Sequence, residues 1–138
     1  MIRKASDTTK SRGDFGETAA ARHLSAKGYR VTARNLRLGR YEIDILAENK
    51  EHIVFVEVKS RTVPYLDPDG PSPYAITPAM AVNKEKQRHI VSAARAYLGA
   101  HPTDKLPRLD VIEVYIREKG SSFEVLRINH IENAFGAR

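Results

Sequence analysis

Residues 41–60 read YEIDILAENKEHIVFVEVKS, two runs of branched and aromatic residues separated by a short polar stretch. Alternation of this kind is the mark of β-strands, and Glu48, Asn49, Lys50 and Glu51 make the connection a hairpin. Successive side chains of a strand point to opposite faces. Glu42, Asp44 and Leu46 therefore share one face of the first strand, and Ile43, Ile45 and Ala47 the other. In the second strand Phe55, Glu57 and Lys59 lie together, opposite Val54, Val56 and Val58. The all-apolar set faces a core. With the turn centred on Asn49 and Lys50, Glu48 pairs with Glu51 and Glu42 lies opposite Glu57. Asp44 is then diagonal to Glu57, roughly 7–8 Å away along the backbone.

Upstream of the hairpin, DFGETAAARHLSAKG reads as a helix with Phe15, Ala19, Ala20 and Leu24 on its apolar side. Asp14 is placed to cap it and Gly28 to end it. A strand follows from Tyr29 to about Arg34. Residues 1–12 are polar and read as a flexible N-terminal arm, leaving residues 13–138 as a single domain. Downstream, residues 60–76 carry four prolines and a glycine and read as a long mobile loop. Thr77 and Pro78 are a helix start, and the helix runs to about Leu98 before Gly99. LPRLDVIEVYIRE and FEVLRI are two further strands. The order α-β-β-β-α-β-β gives an α/β fold: a mixed sheet with helices packed on it.

Composition narrows the function classes. The 138 residues include no cysteine, which excludes a disulfide framework and a thiolate metal site. No apolar run approaches the roughly 20 residues of a membrane span, and the N-terminal residues carry no signal-peptide core, so a cytoplasmic protein is expected by elimination. Lys and Arg number 23 against 17 Asp and Glu, a net charge of +6 that suits a polyanionic partner such as nucleic acid. The cations are dispersed, and no helix-turn-helix or zinc-finger spacing accompanies them.

Chemistry concentrates on the polar face of the hairpin, where Glu42, Asp44, Glu57 and Lys59 crowd one patch. Like charges directly across a sheet are destabilising, and a divalent cation between the carboxylates would remove the repulsion. Hard oxygen ligands suit Mg2+ or Mn2+. Lys59 is positioned to orient a water or to offset charge building on a phosphate. The ordinary alternative is a solvated hairpin face carrying exposed ion pairs. Glu17 likewise has an ordinary reading, as the third residue of a capping box begun by Asp14. Arg61, Lys86 and Arg88 are the candidate nucleic-acid contacts, with Gln87 beside them; the competing reading is a solvated helix face. Asp110 is the expected partner of Arg108 and is assigned no catalysis. The five histidines lack zinc-like spacing and read as scattered surface or boundary residues. Tyr65 and Tyr74 in the proline-rich stretch are placed to stack on bases.

GRYEIDILAENKEHIVFVEVKSR resembles the PD-(D/E)xK, or restriction-endonuclease-like, nuclease superfamily. Within it the chain resembles the YraN-like family of uncharacterised bacterial proteins over nearly its whole length. The stretches that carry the likeness are GDFGETAAARHLSAKGYRVTARNLR, FVEVKSR, KEKQRHIVSAARAYL, PRLDVIEV and INHIENAF. The resemblance implies a restriction-endonuclease-like sheet flanked by helices. It also implies Asp44 as a metal-binding aspartate, Glu57 and Lys59 as the (D/E)xK pair, and Glu17 as an acid that related junction-resolving nucleases bring to the metal. The resemblance further implies Glu42, in the family's G-E-I-D element, as an auxiliary metal-binding acid, and Tyr41 stands where the family pattern has glycine.

The reading that follows is a metal-dependent nuclease hydrolysing phosphodiester bonds in DNA, with structured or branched DNA as the expected substrate. The alternative is a nucleic-acid-binding module that retains the fold without catalysis. Cutting two strands with one small site favours a homodimer, although no residue requires one.

Overall fold

The computed structural model describes residues 5–64 and 83–135. Helix α1 (Ala5–Ala26) leads into strands β1 (Arg30–Leu38), β2 (Tyr41–Glu48) and β3 (His52–Thr62). Helix α2 (Lys84–Ala100) and strands β4 (Leu106–Lys119) and β5 (Ser122–Ile131) complete the chain. The five strands form one sheet in the order β1-β2-β3-β4-β5. All neighbours are antiparallel except β3 and β4, which run parallel on either side of the α2 crossover. The element order and the mixed α/β sheet are those expected from the sequence.

The helices cover opposite faces. On one, Ala20 and Leu24 of α1 pack on Ile45, Ala47, Val54, Val56, Ile112, Val114 and Ile116. On the other, Ile90, Ala93 and Ala94 of α2 pack on Ile43, Leu46, Ile53, Phe55, Leu109 and Val111. Strands covered on both sides read as nearly continuous apolar runs, which accounts for HIVFV and VIEVYI. Acids inside such runs therefore stand out, and Glu57, Asp110 and Glu113 are the buried ones.

Several boundaries differ from expectation. Helix α1 begins at Ala5, so residues 5–12 of the expected arm are helical, and Asp14 and Glu17 lie within the helix. The capping-box reading fails because Gly13 does not interrupt the helix: an internal glycine costs only about 1 kcal/mol relative to alanine. The C-terminus of α1 behaves as read. Gly28 takes φ +94°, and Tyr29 N–H donates to the Leu24 carbonyl at 3.0 Å, a left-handed helix stop. Ser60, Arg61 and Thr62 extend β3 instead of opening a loop. Val63 continues alongside β4, its N–H donating to the Ile116 carbonyl at 2.9 Å; residues 65–76 of the expected proline-rich loop, with Tyr65 and Tyr74, and the Thr77–Pro78 helix start lie outside the described residues. Described helix α2 is capped by Asn83, whose side-chain oxygen accepts from Lys86 N–H at 2.8 Å.

The hairpin register is shifted by two residues. Glu48 pairs with Ile53, not Glu51, because Asn49 closes the turn with its side chain. Its Oδ1 accepts from Glu51 N–H at 3.0 Å and His52 N–H at 2.7 Å, an Asx turn that consumes two more residues. Continuing the register brings Asp44 level with Glu57. Glu42 is not opposite Glu57; it pairs with Arg37 of β1.

Candidate active site

The β2–β3 ladder runs only as far as Ile45↔Val56. Just beyond it, Val58 N–H donates to the Asp44 carboxylate, Oδ2, at 2.8 Å. A side chain thus substitutes for a backbone acceptor where the two strands separate. The alternation of β2 slips at the same place: Ile43 packs with the α2-side cluster, although its expected partners Ile45 and Ala47 pack on the α1 side.

Helix α1 closes over this opening. Gly16 makes the approach feasible, since a Cβ built there would sit 1.8 Å from Ser60 Oγ. The next residue, Glu17, is thereby brought to Asp44. A cavity of about 340 Å3 results, lined by Arg12, Gly13, Glu17, Asp44, Glu57, Val58 and Ser60.

Its electrostatics are unusual for a small sheet. Glu57 is only 5% exposed. Burial first, and the neighbouring Asp44 second, push its carboxyl up to about 8, against the pull of Lys86 and Lys59. Those ammonium groups stand 3.8 and 3.7 Å from Glu57 Oε1. Glu17 is also raised, by burial and then by Asp44, while Arg34 at 3.9 Å opposes the shift. Glu57 Oε2 and Glu17 Oε1 are buried without any hydrogen-bond partner. Buried polar atoms are nearly always paired, so orphaned oxygens on two residues that line one cavity suit a cation or proton donor. Among the described residues no three acidic or histidine side chains converge tightly enough to enclose a metal ion. An all-oxygen set of one or two carboxylates with open positions fits Mg2+ or Mn2+, which keep waters and take phosphate oxygens.

The structure gathers Glu17, Asp44 and Glu57 around one cavity and sets Lys59 and Lys86 against Glu57. Glu42 does not line this cavity. Arg61 lies along β3 with its Nε 3.9 Å from Glu113 Oε2. Arg88 is exposed and sits two residues, roughly 200° around the helix, from Lys86. Arg12, Gly16 and Ser60 were not anticipated. Arg12 fell in the expected arm, and a close approach between helix and strand has no signature in either segment alone. Glu113, 0% exposed, had one signal: an acid within an apolar run.

A second polar network lies around Asp110 on β4, which pairs with Val56 of β3. Arg108 forks onto Asp110 with two bonds of 2.9 Å and reaches Tyr29 Oη at 2.6 Å, the partnership expected. His130, read as a surface or boundary residue, is half-buried and joins this network, with Nε2 2.8 Å from Asp110 Oδ2 and Nδ1 3.2 Å from His23 Nε2.

The model of the uncharacterised protein family UPF0102 matches residues 16–114 of this chain. The chain belongs to that family. The match begins at Gly16 and takes in Glu17, Asp44, Glu57, Lys59 and Glu113, with Arg12 outside it. A UPF0102 protein of Clostridioides difficile is 39% identical over 127 residues, covering 91% of this chain and 97% of its own. One from Chlorobaculum tepidum is 42% identical over 127 residues, covering 89% and 90%. Among solved structures, that of Pyrococcus furiosus SfsA in complex with Ca2+ is similar at 18% identity and a TM-score of 0.38. The alignment covers 90% of this chain and 63% of that one, a likeness too low to bear on the site.

Proposed function

We propose that this UPF0102 protein is a metal-dependent phosphodiesterase acting on nucleic acid, with DNA as the substrate class to test first. The observation that carries the reading is the pair of orphaned carboxylate oxygens on Glu57 and Glu17, two residues that line one cavity with Asp44, with two lysines beside Glu57. Asp44 and Glu57 would hold Mg2+ or Mn2+, with Glu17 of α1 lining the same cavity. Such an ion, when bound, polarises a phosphodiester and makes water a better nucleophile. One oxygen of Asp44 accepts from Val58 N–H, which fixes the carboxylate in the wall of the cavity. Lys59 projects on the same side as Glu57 and presents its ammonium to a phosphate oxygen, offsetting charge that grows there. Lys86 approaches Glu57 from α2 at 3.8 Å and adds a second positive charge that favours an anionic substrate. The net charge of +6 draws a polyanion toward the site.

The test is a cleavage screen over labelled single-stranded, duplex and branched DNA, and the corresponding RNA, with Mg2+, Mn2+ or chelator. Cleavage that needs the ion and falls by about 100–1000-fold in Asp44→Asn, Glu57→Gln or Lys59→Ala, with the circular dichroism spectrum kept, is the expected result. Binding that is equal with and without chelator, and no cleavage of any substrate, would move the assignment to a non-catalytic binding module.

A further inference from the structure

On the face of the sheet that α2 covers, the apolar cluster ends at Phe55 of β3 and Val111 of β4. Beyond it both strands continue with polar side chains. Alternation puts Lys59 and Arg61 on the face of Phe55, and Glu113 and Tyr115 on that of Val111. The register then sets two rows across three strands. Lys59, Glu113 and Asn129 form one, and Arg61, Tyr115 and Arg127 the next. Glu57, level with Val111, lies one step back from Lys59 in the same column.

The middle column is buried and the outer ones are more open. Glu113 and Tyr115 are buried, Lys59 and Arg61 half-buried, and Arg127 and Asn129 exposed. Asn129 Nδ2 donates to Glu113 Oε1 at 3.1 Å, and Arg61 Nε stands 3.9 Å from Glu113 Oε2. The buried carboxylate, itself held by Asn129, thus keeps Arg61 in place and offsets one of the positive charges gathered there. Arg61 and Arg127 stand on either side of Tyr115 in the register, and both guanidinium groups act to lower its hydroxyl against burial and Glu113. Lys86 joins the group from the first turn of α2, 3.8 Å from Glu57. Cations therefore lead from Glu57 toward the edge strand β5. Lys59 and Arg61 are roughly 7 Å apart along β3, and Arg127 lies two strands, roughly 10 Å, across from Arg61.

We propose that this strip of the α2 face, Lys59 and Arg61 with Arg127 on edge strand β5, is the track along which a nucleic-acid backbone runs away from the carboxylates. The inference rests on the nucleic-acid reading above and deepens it by giving the substrate a direction across the sheet. A phosphate chain seated at Glu57 meets Lys59 and Lys86 first, then Arg61, and reaches the edge of the sheet at Arg127. Guanidinium groups are suited to phosphate oxygens, and contacts of this kind fix position without reading sequence.

The experiment is fluorescence anisotropy of the full-length protein with labelled single-stranded and duplex DNA, and with the corresponding RNA, in chelator over a salt series. Each phosphate contact adds about 0.7 to the slope of log affinity against log salt for a single strand, and about 0.9 for duplex DNA. Arg61→Gln and Arg127→Gln should each lower the slope by about that amount, and the double variant by about twice it. Arg127→Lys should keep the wild-type slope, because a point charge suffices for counterion release. Arg37→Gln, at an exposed position of β1 on the opposite edge of the sheet, should behave as wild type. Arg127 is exposed, so its variants test the track even where Arg61→Gln disturbs the fold. Slopes unchanged in Arg127→Gln, or lowered equally in Arg37→Gln, overturn the proposal, as does the absence of binding at the lowest salt. The two readings fail separately. Lowered slopes without cleavage of any substrate count against the nuclease alone; ion-dependent cleavage with unchanged slopes counts against the track alone.

Discussion

A carboxylate that is 5% exposed and lacks a partner on one oxygen is expensive to maintain, because burial disfavours its charged form. Glu57 shows the consequence in a carboxyl pushed up to about 8 by burial and Asp44. The folded state then binds a proton that the unfolded chain releases near the ordinary carboxylate value. In chelator, wild-type stability should fall as pH rises from about 4.5 toward 8. Glu57→Gln removes the charge and keeps the shape, so its stability should stay flatter over that window and exceed wild type at pH 8. Denaturant midpoints at pH 5 and pH 8 measure the difference, and parallel behaviour of the two proteins would show that Glu57 is not the responsible group. A gain in stability with a loss of cleavage is the trade expected of a functional carboxylate.

Between elements, the decisive contact is that of α1 on β3. Gly16 lies under Ser60 so closely that a methyl group would overlap the Ser60 hydroxyl. In an open helix, Gly→Ala stabilises by up to about 1 kcal/mol. Here Gly16→Ala should instead destabilise by about 1–3 kcal/mol, the usual cost of overpacking. It should also lift Arg12 and Glu17 away from Asp44, lowering activity beyond the loss of stability. Ser60→Gly in the same chain should restore much of the stability, as read by urea unfolding. Failure of the double variant to recover any of it would mean that the helix yields by another route.

Across the whole molecule, the Asp110 network ties the end of α1, β4, β5 and the turn after β5 into one body. Asp110 accepts from Arg108, from His130 and from Asn133 N–H. Burial works to raise its carboxyl, but the bonds from His130 and Arg108 outweigh it and hold it below the usual aspartate value. Its contribution is present above the unfolded value of 3.8 and is lost as pH falls through the depressed one. His23 is lowered by burial, then by His130 and Lys27. The stability of its neutral form is present above 6.5 and disappears as pH drops below the lowered value. Acid unfolding should therefore come in two stages, an early one with His23 and a later one with Asp110. Asp110→Asn should lose up to about 3–5 kcal/mol at neutral pH, because it leaves the half-buried Arg108 with only the more exposed Glu132, 3.8 Å away, as a charged partner. Its thermal unfolding should also lack the later acid stage. A wild-type-like melting temperature would remove the network from the account of stability.

The fold was legible because hydrophobic periodicity is a local property. The runs around Ile43–Ala47, Ile53–Val58 and Leu109–Ile116 identify strands wherever they fold, and their order sets the mixed α/β sheet. Within the site, Asp44, Glu57 and Lys59 were legible as acids and a base on a strand face of otherwise apolar character. The register was not, because Asn49 turns the chain with its side chain and moves Asp44 from diagonal to level with Glu57. Nor was the start of α1, where tertiary packing carries a glycine through a helix. Arg12, Ser60 and Glu113 belong to contacts between segments 50 or so residues apart, and no neighbouring sequence announces them. The sequence by itself determined the elements, their order and the acids of the hairpin, since these follow from side-chain pattern and composition. Only the tertiary structure decided which oxygens lack partners and which cations stand beside them, since burial and distance exist only once helix and sheet have closed on each other.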